Sequence, residues 1–366
     1  MPEIPVRPNV LKMTPYSPGK PIEEVKRELG LTRVIKLASN ENPLGPSPKA
    51  VAAIKAAADQ IHLYPDGASF LLREALSNHY NLPMNQIIVG NGSDELIHLL
   101  GLIFLGSPED EVMVGYPSFV RYDAAAGIAD CQLVRVPLTS DMRIDLAAMA
   151  KAATANTKLI FIANPNNPTG TIITESELDQ FLASISSNTI VVLDEAYFEF
   201  ADGTPGFPNS LAYIGKYPNV IGMRTFSKTY GLAGIRVGYA FVSEAISDAI
   251  DRAREPFNVN LIGQVAAKAA LSDSEHLKNT IELNRRGLDR MAKAFEDLGA
   301  KPFKSYANFI MADLGRPARP VFQALLERGV ITRSGDVLGM PNCLRVSVGT
   351  DEEVQIFIEE LTQILS

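Results

Sequence analysis

Between residues 87 and 242 the chain alternates short, continuously apolar, β-branched runs with helical stretches: IIVG (87–90), EVMVG (111–115), KLIFIA (158–163), TIVVLD (189–194), NVIGM (219–223) and VGYAFV (237–242). A strand with one wet face alternates apolar and polar residues. Strands that are apolar throughout are covered on both faces, and the intervening helices supply the cover. The pattern predicts an α/β block built on a mostly parallel central sheet.

On either side the character changes. The first forty residues are rich in proline and polar groups, with one short helical stretch, IEEVKRELG, closed by Gly30 as a helix C-cap. After SNENPLGPSP (39–48) an Ala-rich helix is expected over 49–60, and YPDG (64–67) marks a turn. Beyond about Glu255 the pattern predicts long amphipathic helices, Ser274 to Leu298 among them, then short strands near NFIMADL and LRVSVG and a last helix from Glu352 to Leu365. The expected organisation is an N-terminal arm over 1–38 belonging to the smaller unit, a large α/β domain over 39–255, and a small α+β domain over 256–366. A chain of 366 residues has room for such a division.

Charge and composition narrow the partners. Lys and Arg total 34 against 42 Asp and Glu, a net charge of -8, so the basic excess that binds a phosphate backbone is missing and nucleic acid is not expected. The longest apolar stretch, Leu96 to Leu105, contains His98 and is half the length a membrane span needs, and the N-terminus has no basic segment followed by an apolar one. A cytoplasmic protein without a membrane partner is expected. Cys131 and Cys343 stand far apart with no metal-type spacing, which suggests neither a disulfide framework nor a bound metal.

In open α/β sheets ligands collect at the carboxyl ends of the strands, and four of those ends carry unusual chemistry. IIVG is followed by NGSDE, where a glycine turn delivers Ser93 and Asp94 to a helix start whose free N–H groups suit a phosphate, although on this motif alone a plain N-cap is the better account. KLIFIA is followed by NPNNPTG (164–170), a rigid turn that either aims side-chain amides into a crevice or is merely structural. Asp194 closes a buried strand in DEAY, with Tyr197 three residues on; such a carboxylate needs a cation, whether a salt-bridge partner or a ligand. NVIGM leads into RTFSKTYGLAGIRVG, where Lys228 beside Ser227 and ahead of Arg236 has the look of a Schiff-base lysine next to a phosphate clamp. An amine, a carboxylate, an amide and a phosphate cradle together suit pyridoxal 5'-phosphate.

The ordered series SNENPLGPSP, YPDG, GNGSDE, NPNNPTG, DEAY, TFSK, AGIRVG, ANFI and NCLRVSVGT resembles the fold-type I aminotransferases, in their histidinol-phosphate aminotransferase branch, from about Pro15 to Thr350. The resemblance implies a large domain with a mostly parallel sheet plus a smaller α+β domain, and pyridoxal 5'-phosphate as cofactor. Carried over by position, it implies that Lys228 holds the cofactor covalently and moves the substrate proton. It pairs Asp194 with the pyridine nitrogen, and Asn167 and Tyr197 with the cofactor's 3'-oxygen. Ser93, Asp94, Thr225, Ser227 and Arg236 match the phosphate cradle, Tyr122 of YPSFVRY matches an aromatic stacked on the cofactor ring, and Tyr64 matches a tyrosine reaching in from the partner subunit of a homodimer. Arg345 matches the arginine that grips the substrate carboxylate; Arg333, twelve residues earlier, is a second candidate ligand or a surface ion pair, and Tyr16 is similar to an arm residue covering the substrate.

What this implies for function is transfer of an amino group between L-histidinol phosphate and 2-oxoglutarate, a step of histidine biosynthesis. The alternatives are an aromatic amino-acid aminotransferase, which shares every motif above, and more remotely a decarboxylase of a phosphorylated amino acid on the same fold. A cofactor-sensing regulator is disfavoured, since no helix-turn-helix sequence precedes Tyr16 and the lysine is present.

Overall fold

The computed structural model describes residues 4–15 and 19–366. A short strand, β1 (Ile35–Lys36), leads out of the N-terminal arm. Next come β2 (Ile87–Gly90), β3 (Glu111–Tyr116), β4 (Gln132–Pro137), β5 (Thr157–Ala163), β6 (Ile190–Asp194), β7 (Val220–Thr225) and β8 (Gly238–Phe241), which join in one seven-stranded sheet of order β2-β8-β7-β6-β5-β3-β4. The block from β7 to β4 is parallel, and β8 runs antiparallel to both its neighbours. Two reversals restore direction, so β2 points the same way as the parallel block. The carboxyl ends of β2, β3, β5, β6 and β7 therefore share one edge of the sheet, and β8 begins there.

The apolar runs feed two cores at once. Ile87, Val89, Met113, Ile160, Ile162, Val191 and Leu193 lie in one buried cluster, while Ile88, Val112, Val114, Leu159, Phe161 and Val192 lie in the other. Successive side chains on a strand point to opposite faces, so a run apolar at every position buries both. The edge strand β4, exposed at Gln132, Arg135 and Pro137, interleaves polar with apolar residues and lies outside the pattern that reveals the others.

A second sheet closes the chain. Strands β9 (Lys301–Pro302), β10 (Phe309–Asp313), β12 (Arg333–Ser334) and β13 (Cys343–Ser347) form an antiparallel sheet of order β12-β13-β10-β9, while β11 (Val330–Ile331) pairs in parallel with β1. The arm is tied to this unit a second time through Val25 on helix Ile22–Leu29, which packs with Leu326 and Ile331. Helices Ser274–Asp297 and Asp351–Leu365 cover the small sheet, the latter begun by a reciprocal capping box between Thr350 and Glu353. Helix Leu261–Leu271 instead sends Ala266, Ala267 and Ala270 into the core that also holds Ile87 and Val191. Among the described residues no helix is long and apolar enough to cross a membrane.

Candidate active site

The shared edge of the large sheet gathers the motif residues. At the end of β6, Asp194 is 4% exposed and accepts hydrogen bonds from the Tyr122 hydroxyl at 2.7 Å and the Ala196 N–H at 3.2 Å. Burial pushes its carboxyl from the ordinary 3.8 up to about 6, against the lowering effect of those two hydrogen bonds. Among the described residues no Lys, Arg or His side chain forms a salt bridge with it. On the neighbouring strand β7, the chain turns through Phe226 and Ser227 to Lys228, whose Nζ lies 5.7 Å from the centroid of the Tyr197 ring. The Tyr197 hydroxyl accepts from Asn40 Nδ2 at 2.9 Å, and its ring meets Phe309 edge-on.

Helix Ser93–Phe104 starts at this edge with Gly92 as its N-cap at φ 79°, ψ 165°, backbone that only glycine adopts freely. Arg236, itself at a positive φ of 59°, donates to the Ala233 carbonyl at 3.2 Å and lies 3.3 Å from Asp94 Oδ2. Arg121 approaches the other Asp94 oxygen at 3.4 Å, so what Asp94 has to offer an anion is its N–H. A Cβ on Gly92 would stand 2.6 Å from Arg236 Nη2, and one on Gly238 would stand 2.5 Å from Ser93 N. The two glycines bring the guanidinium and the helix N-terminus into one small cradle.

The turn after β5 sorts its three asparagines. Asn164 Oδ1 accepts from Ile173 N–H at 3.0 Å, and Asn166 binds Thr169 at 2.9 Å and Ser118 at 2.9 Å, so both hold the turn together. Asn167 reaches out: its Oδ1 accepts from Arg345 Nη1 at 2.6 Å, which leaves its N–H2 as what the amide offers the crevice. Arg345 is 7% exposed, gives Nη2 to the Ala38 carbonyl at 2.8 Å and lies 5.3 Å from the Phe309 ring centroid. Arg333 is its register partner across β12 and β13, so the two side chains leave the same face of the small sheet.

Two of the expected residues have their side chains committed within the protein. The Tyr122 ring stacks on Phe161 at 4.5 Å with planes 7° apart, meets Phe119 edge-on, and is 1% exposed. Tyr122 thus bears on Asp194 through its hydroxyl, while Phe119, three residues earlier, is half-buried. The Thr225 hydroxyl is engaged at the strand end, accepting from Ser227 N–H at 3.1 Å and lying 3.4 Å from the Val237 carbonyl, so it shapes the turn before Lys228. Tyr64 is 82% exposed and stacked on Phe257 at 4.9 Å. Tyr16 lies outside the described residues.

Sequence reading misses Phe119, Asn40 and the polar groups behind the cleft. For Asn40 a signal existed: it sits inside SNENP, and its φ of 54° suits an asparagine.

The donor set fits pyridoxal phosphate on two observations. A buried carboxylate without a cationic side-chain partner is costly unless a ligand brings the cation, and a protonated pyridine nitrogen does so. The Gly92 and Gly238 cradle, with Arg236 beside a helix N-terminus, offers what a phosphate monoester requires.

Comparison with known proteins agrees with this chemistry. The family described as aminotransferase class I and II matches residues 32–361. The histidinol-phosphate aminotransferase of Moorella thermoacetica is 49% identical over 361 residues, covering 98% of this chain and 93% of that protein. The protein of the same name from Anaeromyxobacter sp. is 47% identical over 366 residues, covering 100% of both chains. The crystal structure of histidinol-phosphate aminotransferase from Sinorhizobium meliloti in complex with pyridoxal 5'-phosphate superposes with a TM-score of 0.91 at 29% identity, covering 99% of this chain and 97% of that one. Matched over most of its length, the chain belongs to the class I and II aminotransferase family.

Proposed function

We propose that this chain is a cytoplasmic, homodimeric aminotransferase that moves the amino group of L-histidinol phosphate to 2-oxoglutarate with pyridoxal 5'-phosphate as cofactor. The observation that carries the chemistry is Asp194, a buried carboxylate at a strand end, held by Tyr122 and, among the described residues, in no salt bridge with a cationic side chain, one strand over from Lys228. The donor is inferred from the name shared by relatives alike along the whole chain.

Bound there, pyridoxal phosphate supplies an electron sink for the bond to hydrogen at the donor's α-carbon. Lys228 Nζ would hold the cofactor and would move the proton at the donor's α-carbon. Asp194 holds the proton of the ring nitrogen, and Tyr122 fixes the carboxylate through Oδ2. Tyr197, oriented by Asn40, and the Asn167 amide donate toward the 3'-oxygen. Ser93 and Asp94 N–H groups, Ser227 and Arg236 receive the phosphate. Arg345 and Arg333, side by side on one sheet face, bind the anionic end of either substrate, since guanidinium suits carboxylate and phosphate alike. The exposed apolar side chains around Tyr64, namely Ile61, Leu63, Phe70 and Leu71, support a subunit contact beside it.

Purified protein is expected to be yellow, and borohydride reduction with peptide mapping to place the pyridoxyl group on Lys228. Label on a different lysine overturns the assignment.

A further inference from the structure

The segment from Asp194 to Glu199 serves two neighbourhoods. Asp194 and Tyr197 belong to the cleft; Glu195 and Glu199 lie behind it. Glu195 is fully engaged, accepting from Ser210 N–H at 2.8 Å, the Ser210 hydroxyl at 2.7 Å and Arg224 Nε at 2.8 Å. Arg224 is 1% exposed, gives Nη2 to Asn209 at 2.9 Å and lies 3.4 Å from the Phe198 ring centroid. Glu199 differs. One oxygen accepts from the Thr229 hydroxyl at 3.1 Å, while Oε1 is enclosed with no hydrogen-bond partner among the described residues.

Thr229 is 0% exposed and directly follows Lys228. Its carbonyl accepts from Asn42 Nδ2 at 2.8 Å, and that same nitrogen lies 3.1 Å from Thr280 Oγ1 and 3.4 Å from His276 Nε2 on helix Ser274–Asp297. Two residues on, a Cβ at Gly231 would stand 2.1 Å from the Gly45 carbonyl oxygen, so the loop after the lysine is seated directly on the segment around Gly45. Of the tethers on Thr229, the hydroxyl bond to Glu199 is the one whose acceptor can take up a proton.

We propose that Glu199 is a positioning residue for Lys228: through the Thr229 hydroxyl it holds the backbone that carries the lysine, and its protonation state sets how firmly. The proposal rests on the reading of Lys228 as the cofactor-bearing lysine. Around Glu199 stand Arg224 on β7, Glu195 after β6, Tyr230 in the lysine loop, Tyr80 at the end of helix Phe70–Tyr80, Tyr239 on β8, and His276 by way of Asn42. Burial pushes the Glu199 carboxyl up to about 7; the Arg224 guanidinium and the Thr229 hydroxyl oppose the rise, and Glu195 adds to it. Ionised, the carboxylate accepts a charge-assisted bond; protonated, it holds Thr229 more weakly.

The test uses holoenzyme carrying Thr229→Val, Thr229→Ser or Glu199→Gln. Thr229→Val is expected to lower kcat about 10- to 100-fold while the donor KM stays within about twofold, the scale for a misplaced reacting group. It also shifts the midpoint of the pH-dependent visible absorbance of the bound cofactor, and Thr229→Ser restores both. The parent's kcat is expected to fall below about pH 7 as Glu199 takes up its proton, and Glu199→Gln, which still accepts from Thr229, is expected to abolish that fall. If Thr229→Val fails to fold, Thr229→Ala carries the same expectation. Borohydride labelling of Lys228 separates the two claims. Label on Lys228 with kcat, absorbance midpoint and pH profile all unchanged overturns the positioning role and leaves the cofactor assignment standing. Label elsewhere overturns both.

Discussion

Asp194 shows what burying a carboxylate costs. Its folded-state value of about 6 lies above the ordinary 3.8, so the folded chain without cofactor binds this proton more tightly than the unfolded chain does. The stabilisation that proton brings is complete below the unfolded value and is lost as pH rises through about 6, a penalty of about 3 kcal/mol at neutral pH. Asp194→Asn is therefore expected to make the cofactor-free protein more stable than its parent at pH 8, by up to that amount, with the gain gone near pH 4. Urea unfolding at the two pH values checks the sign, and a variant less stable than the parent at pH 8 contradicts it. The same substitution is expected to lower turnover more than about 100-fold, because an amide cannot hold the pyridine nitrogen's proton. Arg345→Ala is expected to weaken kcat/KM for both histidinol phosphate and 2-oxoglutarate by about 2 to 4 kcal/mol, the scale for losing a buried charge-assisted partner. Steady-state kinetics with each substrate varied in turn would show it, and loss for one substrate alone counts against a shared anion site.

At the scale of elements, the proposed phosphate cradle depends on β8 lying flat against the start of helix Ser93–Phe104. Gly238→Ala sets a Cβ 2.5 Å from Ser93 N, a backbone atom that cannot swing aside. The variant is expected to lose about 1 to 3 kcal/mol of stability and to bind pyridoxal phosphate more weakly, measured by thermal unfolding and by cofactor titration. Unchanged affinity would mean that the cradle lies elsewhere. Much of this arrangement is legible in the sequence, for a physical reason. A strand buried on both faces must be apolar throughout, so β2, β5 and β6 declare themselves, and the residues just past each of them must then stand at the ligand edge. Edge strand β4 does not, because Gln132 and Arg135 face water. Local sequence is equally silent on which aromatic of YPSFVRY meets a ligand, since the contacts that commit Tyr122, to Phe161 and Asp194, are made with distant strands. Glu199 and Thr229 give no motif either: thirty residues separate them, and only the fold brings the carboxyl behind the lysine.

For the molecule as a whole, the reading requires a second subunit. Tyr64 points away from its own chain's core, 82% exposed, and is expected to complete the partner's site. Mixing Lys228→Ala subunits with Tyr64→Ala subunits should restore part of the activity that each lacks alone, because one site of each heterodimer is then unmutated. No recovery after confirmed subunit exchange would confine Tyr64 to its own site or to none. The identity of the donor is tested by comparing kcat/KM for histidinol phosphate, dephosphorylated histidinol, phenylalanine and tyrosine, each with 2-oxoglutarate, because specificity is a ratio of these constants. The paired arginines predict histidinol phosphate as the best donor and dephosphorylated histidinol as a poor one. Phenylalanine or tyrosine as a far better donor than histidinol phosphate would contradict the account.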